Sequence, residues 1–239
     1  MSPFSRSGTV PAVASARFQA ISPLSSIFLP PPPHTIFILS PANLGGERGA
    51  LLLREGAGSP LAQQLRSAGG APLREVFSFI SSLYFRGKSA YAEVFARPPP
   101  GLDAALVITP GEGLCAAGEA LTLERARAWA QVPIDDRNAD FTAPLIRHAE
   151  DLERGYGATT RFVLLGSVAS NKYVRPLTRV FGDHLLFPPA FIGRGDMSRG
   201  GLLLRAVREG SELAYAPVEG AIRHGPRVPR LPRLSRRAG

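Results

Sequence analysis

Short unbroken apolar runs alternate along the chain with longer stretches in which apolar residues recur at every third or fourth position. TIFILS (35–40), AALVITP (104–110), RFVLLGS (161–167) and HLLFPP (184–189) are runs of the first kind, bounded by Pro or Gly. Apolar continuity over so few residues predicts strands buried on both faces. SELAYAPV (211–218) alternates instead, which predicts an edge strand. The helical period predicts helices over 60–68, 72–85, 88–96, 122–130, 143–155, 171–182 and 198–210, several opening at Ser, Thr or Pro and several closing at Gly. Gly87, between the second and third of these, reads as a helix break. Strands separated by helices need crossover connections, so the order predicts an α/β layered domain whose mostly parallel or mixed central sheet is flanked by helices.

The pattern fades at both ends. Residues 1–33 are rich in Ser, Ala and Pro and finish in four prolines, which predicts a disordered extension. Residues 34–222 carry the alternation and form the expected single α/β domain. Residues 223–239 repeat Arg and Pro without apolar period, predicting a disordered tail. This division changes the meaning of the net charge of +9: residues 35–222 hold 20 basic and 19 acidic residues, so the excess belongs to the termini and defines no basic face on the domain. Every apolar block is cut well short of the ~18 residues that a bilayer span needs. With a single cysteine, Cys115, no internal disulfide is available. A soluble, cytoplasmic protein is therefore expected, and its oligomeric state is left open.

In a parallel sheet, ligands collect beyond the carboxyl ends of the strands, where loops converge and helix N-termini offer free N–H groups. Polar residues gather at those ends here. Ser40, Asn43 and Arg48 follow the first strand, Glu112 follows the second, and Ser170, Lys172 and Tyr173 follow the third. The segment FIGRGDMSRGG (191–201) follows the fourth, with glycines for a tight turn, Asp196 or Ser198 as helix caps, and Arg194 and Arg199 as forks suited to phosphate oxygens. LYFRGKSAY (83–91) adds Tyr84, Arg86 and Lys88, a mixture of rings and cations able to stack on a base and hold its phosphate. Lys88 and Lys172 are the only lysines in a chain that otherwise uses arginine. Glu112 and Asp196 are the candidate acid/base groups.

Other chemistry is unsupported. The four histidines are scattered and Cys115 has no CxxC partner, so no metal site is expected. His148 reads as a helix-surface residue. No Walker or Rossmann pattern and no GxSxG occurs, no cofactor is expected, and Ser40 followed by Pro41 makes a poor nucleophile elbow.

Three segments, in order, resemble the YaaA-like family of bacterial peroxide-stress proteins. Ser40-Pro41-Ala42 is similar to that family's strand ending in SPAK, Ala169-Ser170 with Tyr173 to its A-S-x-x-Y segment, and Arg194-Gly195-Asp196-Met197-Ser198-Arg199 to its R-G-x-M-x-R segment. Asn43 stands where the family has lysine, and the middle section has no counterpart. The resemblance implies an α/β protein with a positively charged cleft that binds DNA and limits iron-linked oxidative damage. The combined expectation is a cleft that binds a phosphate-bearing ligand, nucleic acid or nucleotide. An enzyme acting on a nucleotide or nucleobase through a carboxylate, and a non-catalytic scaffold, are the alternatives.

Overall fold

The computed structural model describes residues 34–229 and 231. The extension expected over 1–33 and most of the tail lie outside the described residues. The chain runs β1 (His34–Leu39), α1 (Glu47–Leu53), α2 (Pro60–Arg66), β2 (Ala71–Pro72), α3 (Leu73–Ser81), α4 (Leu83–Phe95), β3 (Ala105–Thr109), β4 (Gly113–Ala116) and β5 (Ala120–Leu121). It continues through α5 (Leu123–Ala130), α6 (Ala139–Tyr156), β6 (Thr160–Leu165), α7 (Asn171–Phe181), β7 (Leu185–Phe187), α8 (Asp196–Glu209) and β8 (Ala216–Pro217). Six strands form one mixed sheet in the order β4-β3-β1-β6-β7-β8; β3, β1, β6 and β7 are mutually parallel, and β4 and β8 add antiparallel edges. β2 and β5 make a separate two-stranded pair.

The four central strands are those that the apolar runs predict, and their side chains alternate between two cores. Phe37 and Leu39 of β1, Val107 of β3 and Val163 and Leu165 of β6 enter one core with α1 to α5 and α8. Ile36, Ile38, Ile108, Phe162 and Leu164 enter the other, with α6 and α7. A strand covered on both faces has no reason to alternate in sequence, which is why these read as continuous runs.

Several elements differ from expectation. The helix break falls at Ser82, not Gly87, and α4 runs unbroken through the glycine. Ser82 has φ 51° and ψ −123°, and is the one non-glycine residue at positive φ among the described residues. Gly87 is needed for a different reason: a Cβ there would stand 2.8 Å from the Gly200 oxygen, and one on Gly200 would stand 2.7 Å from the Leu83 oxygen. α4 and α8 thus touch backbone to backbone. TPGEGL, expected as a loop leaving a strand, is the hairpin turn into β4, with Gly113 at φ 74°. α1 was not expected, because Gly49 interrupts ERGALLL; that glycine lies against the Leu44 backbone, where a Cβ would clash. The edge strand expected over 211–218 shrinks to β8.

Of the expected tail, residues 223–229 run along the segment after β7: Val228 N–H donates to the Gly193 carbonyl at 3.3 Å, and Arg223 donates to the Val168 carbonyl and the Asn171 side chain. Among the described residues no helix is long and apolar enough to cross a membrane.

Candidate functional site

β1 and β6 are neighbours, but the chain leaves β1 towards the β3 side and leaves β6 towards the β7 side. Where adjacent parallel strands send their chains in opposite directions, the loops part and a crevice opens at the carboxyl ends. A cavity of about 740 Å³ occupies that position. Ser40 to Arg48, leaving β1, form one part of its lining; Ser167, Lys172 and Tyr173, leaving β6, form another. Ile80, Ser81 and Tyr84 come from the strained α3–α4 junction, Asp196 from the first turn of α8, and Trp129 to Ile134 from the end of α5.

Seven of the residues singled out in sequence meet here: Ser40, Asn43, Arg48, Tyr84, Lys172, Tyr173 and Asp196. The others lie elsewhere. Arg86 and Ser170 are exposed outside the cavity lining. Arg194 donates to the Ala190 carbonyl at 2.9 Å and to Ser198 Oγ at 3.0 Å, so both side chains serve the turn before α8. Neither Asp196 nor Ser198 caps α8; its N-cap is Gly195, with no side-chain bond. Arg199 is buried, donating to Asp196 Oδ1 at 3.3 Å and to the Phe191 carbonyl at 3.4 Å, rather than standing free for an anion.

Glu112 is fully engaged. Its carboxylate accepts from Arg125 Nε at 3.1 Å, from Arg125 Nη2, and from Trp129 Nε1 at 3.0 Å. The Arg125 hydrogen bonds hold its carboxyl below the usual range. It is therefore placed to orient the Trp129 ring on the cavity wall, not to exchange protons in the cavity. His148, expected on a helix surface, is half-buried, and its Nδ1 lies 3.1 Å from the Leu114 backbone nitrogen on β4. Glu112, Cys115 and Glu119 come within 4.8 Å of one another, a grouping the sequence did not suggest. Arg125 bridges the two carboxylates and burial pushes the Cys115 thiol up to about 11, so the carboxylates are already engaged by a guanidinium, with one net negative charge left over, beside a protonated thiol.

Lys88 lies behind the cavity lining and is wholly buried. Its Nζ is 2.5 Å from the Ser40 carbonyl and 2.9 Å from Ser40 Oγ, with the rings of Tyr84 and Phe85 at 4.5 and 4.7 Å. No carboxylate pairs with it among the described residues. Burial is the main cause that lowers its pKa to about 7; Asp196 opposes the shift and Arg199 adds to it. Ser40 is held from its other side by Gly166, where a Cβ would come 2.9 Å from that of Ser40. Tyr84 is buried at the cavity edge, and its hydroxyl has no well-formed hydrogen bond. Burial raises that phenol above the ordinary range, against the opposing field of Arg199.

Sequence reasoning missed the 129–134 wall and Gly166. The sole tryptophan ahead of QVPI was the available signal for the wall; nothing in the composition distinguished Gly166 from any glycine closing a strand. No family model, curated protein or solved structure matches the chain.

Proposed function

We propose that the cleft binds a small phosphate-bearing ligand of nucleotide size. The observation that carries this reading is the pairing, around one cavity at the strand switch point, of two cations with three aromatic side chains. Arg48 and Lys172 line the cavity without a carboxylate partner among the described residues, beside Tyr84, Tyr173 and Trp129. Cations fix phosphate oxygens, rings accept a base or another flat group, and the volume lies within the ~300–1,000 Å³ of small-molecule sites. α7 opens at the cavity with no side-chain cap on its N-terminal N–H groups.

Charge favours a nucleotide over a nucleic acid. Glu47 and Asp196 line the same cavity and balance its two cations. The tight binding of a polyanion rests on many phosphate contacts, which such a surface lacks. The stress-protective role is supported only by the resemblance of three short segments.

Calorimetric titration of mononucleotides and a short single-stranded oligonucleotide into the full chain tests the reading. The expected result is saturable mononucleotide binding that Arg48→Ala weakens about tenfold, the size of one charge-assisted contact. Oligonucleotide binding that vanishes when residues 230–239 are removed, with no mononucleotide binding, would assign the affinity to the tail instead.

A further inference from the structure

We infer that Ser40 and Lys88 form a nucleophile and general-base pair at the inner wall of the cleft, and that the protein hydrolyses an acyl ester. The choice of a phosphate-bearing ester as substrate rests on the ligand reading above; the pair itself does not.

The geometry comes first. Ser40 is the first residue beyond β1 and Lys88 lies on α4, so both stand on rigid elements, with Nζ 2.9 Å from Oγ. That is hydrogen-bond reach for proton transfer. The amine has one other polar contact, the Ser40 carbonyl. Nζ stands as donor to both Ser40 oxygens; in the neutral –NH₂ form one N–H keeps the carbonyl bond and the lone pair is free to accept the hydroxyl proton. An ammonium can only donate, and would leave the serine proton without this acceptor.

Enclosure favours the neutral form: Nζ is wholly buried and no carboxylate lies within ion-pair distance among the described residues, while Asp196 and Arg199 on α8 act on it with opposite signs and the Tyr84 and Phe85 rings on α4, at cation–π range, pull the other way. Desolvation then holds the amine near pH 7, where a general base is most useful.

Accessibility separates the roles. Ser40 lines the cavity and Lys88 does not. A buried lysine facing a ligand directly would suggest imine chemistry; here the serine stands between, so the amine serves the hydroxyl. The electrophile follows from what surrounds Oγ. Phosphoryl transfer relies on cations at the non-bridging oxygens; on the ligand reading above Arg48 and Lys172 hold the ligand's phosphate, and the amine beside Oγ, neutral, adds no fixed charge at the reacting centre, which favours a carbonyl carbon. Pro41 has no N–H for an oxyanion, so donation falls to the Asn43 carboxamide and the uncapped first turn of α7, both on the cleft.

In the reaction, the Ser40 hydroxyl proton passes to Lys88 Nζ as Oγ bonds to the ester carbonyl carbon. The carbon–oxygen bond to the alcohol breaks, and the Lys88 ammonium returns the proton to that alcohol. Water then attacks the acyl-serine, its proton passing through Lys88 to Ser40 Oγ as the acid leaves. Ester and water become acid and alcohol, with no oxidant or metal required.

Labelling of the full chain with a fluorophosphonate, followed by intact mass and peptide mapping, tests the pair. One adduct on Ser40 is expected, absent in Ser40→Ala, at a rate that rises with pH through about 7 in the unmodified protein. Lys88→Met should slow labelling about 100-fold and abolish that rise. No adduct on Ser40, a rate flat in pH, or a folded Lys88→Met that labels at the wild-type rate would each overturn the proposal; the pH profile needs no variant to fold. Turnover of p-nitrophenyl butyrate that Ser40→Ala abolishes is the expected companion result. Protection from the probe by AMP would tie the pair to the phosphate site, whereas unprotected labelling of Ser40 would overturn the phosphate-bearing substrate and leave the pair standing.

Discussion

α4 reaches both ends of β1, and the two ends are built on different terms. At the amino end, Thr35 and Arg97 exchange backbone hydrogen bonds at 2.8 and 2.9 Å, and the Arg161 guanidinium donates to Thr35 Oγ1 at 2.8 Å. Arg97 also pairs with Glu212, and the Tyr91 hydroxyl meets both Tyr215 Oη and the Leu213 N–H at 2.7 Å. At the carboxyl end the same helix presents Lys88 without a carboxylate and Tyr84 without a hydrogen-bond partner, beside the strained Ser82. At the first end the charged groups and the Tyr91 hydroxyl find partners, although Thr160 Oγ1 and Glu212 Oε1 are left without hydrogen bonds, while at the second the buried amine has no counter-charge and the Tyr84 hydroxyl no partner. A fold tolerates that incompleteness where a ligand or a reaction supplies the missing partner.

The comparison can be broken most forcefully at Lys88. Its folded-state pKa lies near 7 against an ordinary 10.5, so between those values the unfolded chain holds a proton that the folded chain does not, and this group makes stability rise with pH. Replacing it with methionine removes that slope. The stability of Lys88→Met relative to wild type should therefore fall by a few kcal/mol from pH 7 to pH 10, read by urea denaturation at each pH. A constant difference would mean that the amine is charged throughout.

Gly200→Ala is the next largest, because the added methyl meets the Leu83 and Tyr84 backbone and must push α8 off α4; a loss of ~1–3 kcal/mol is expected in the same denaturation assay. The two tyrosines then sharpen the contrast directly. Tyr91→Phe removes a hydroxyl with two partners and should cost about 1 kcal/mol, whereas Tyr84→Phe removes a buried one with none and should leave stability unchanged or raise it by up to ~1 kcal/mol. Equal losses at both positions would erase the distinction between the ends. A small effect is also expected at Glu112→Gln, whose partly exposed ion pair with Arg125 is worth under ~1 kcal/mol and whose loss should leave Ser40 labelling unchanged.

The sheet was legible because four strands buried on both faces announce themselves as apolar runs, and the polar residues at their carboxyl ends mark where the cavity lies. β4 was not, since GLCA is four residues long and follows a glycine-rich turn that reads equally well as a loop. Gly87 misled for a physical reason: glycine marks both a chain that must bend and a backbone that must be approached closely, and only the tertiary partner, Gly200, decides which. The cations misled similarly. Arg194, Arg199 and Lys88 look alike as charges beside glycines, but one braces a turn, one is buried beside Asp196, and one is sealed behind Ser40. Burial is set by neighbours far along the chain, so their local sequence carried no trace of it. Ser82 carried no warning either, because its strain belongs to the packing of α3 and α4.

The central position of β1 also governs how the molecule is made. Its first strand partner, β3, begins at residue 105 and its second, β6, only at residue 160. A ribosome therefore releases an oily segment with both edges open long before either flank can be zipped shut, and such delayed long-range pairing slows folding. During synthesis HTIFIL is the stretch of this chain that a holding chaperone would be expected to grip.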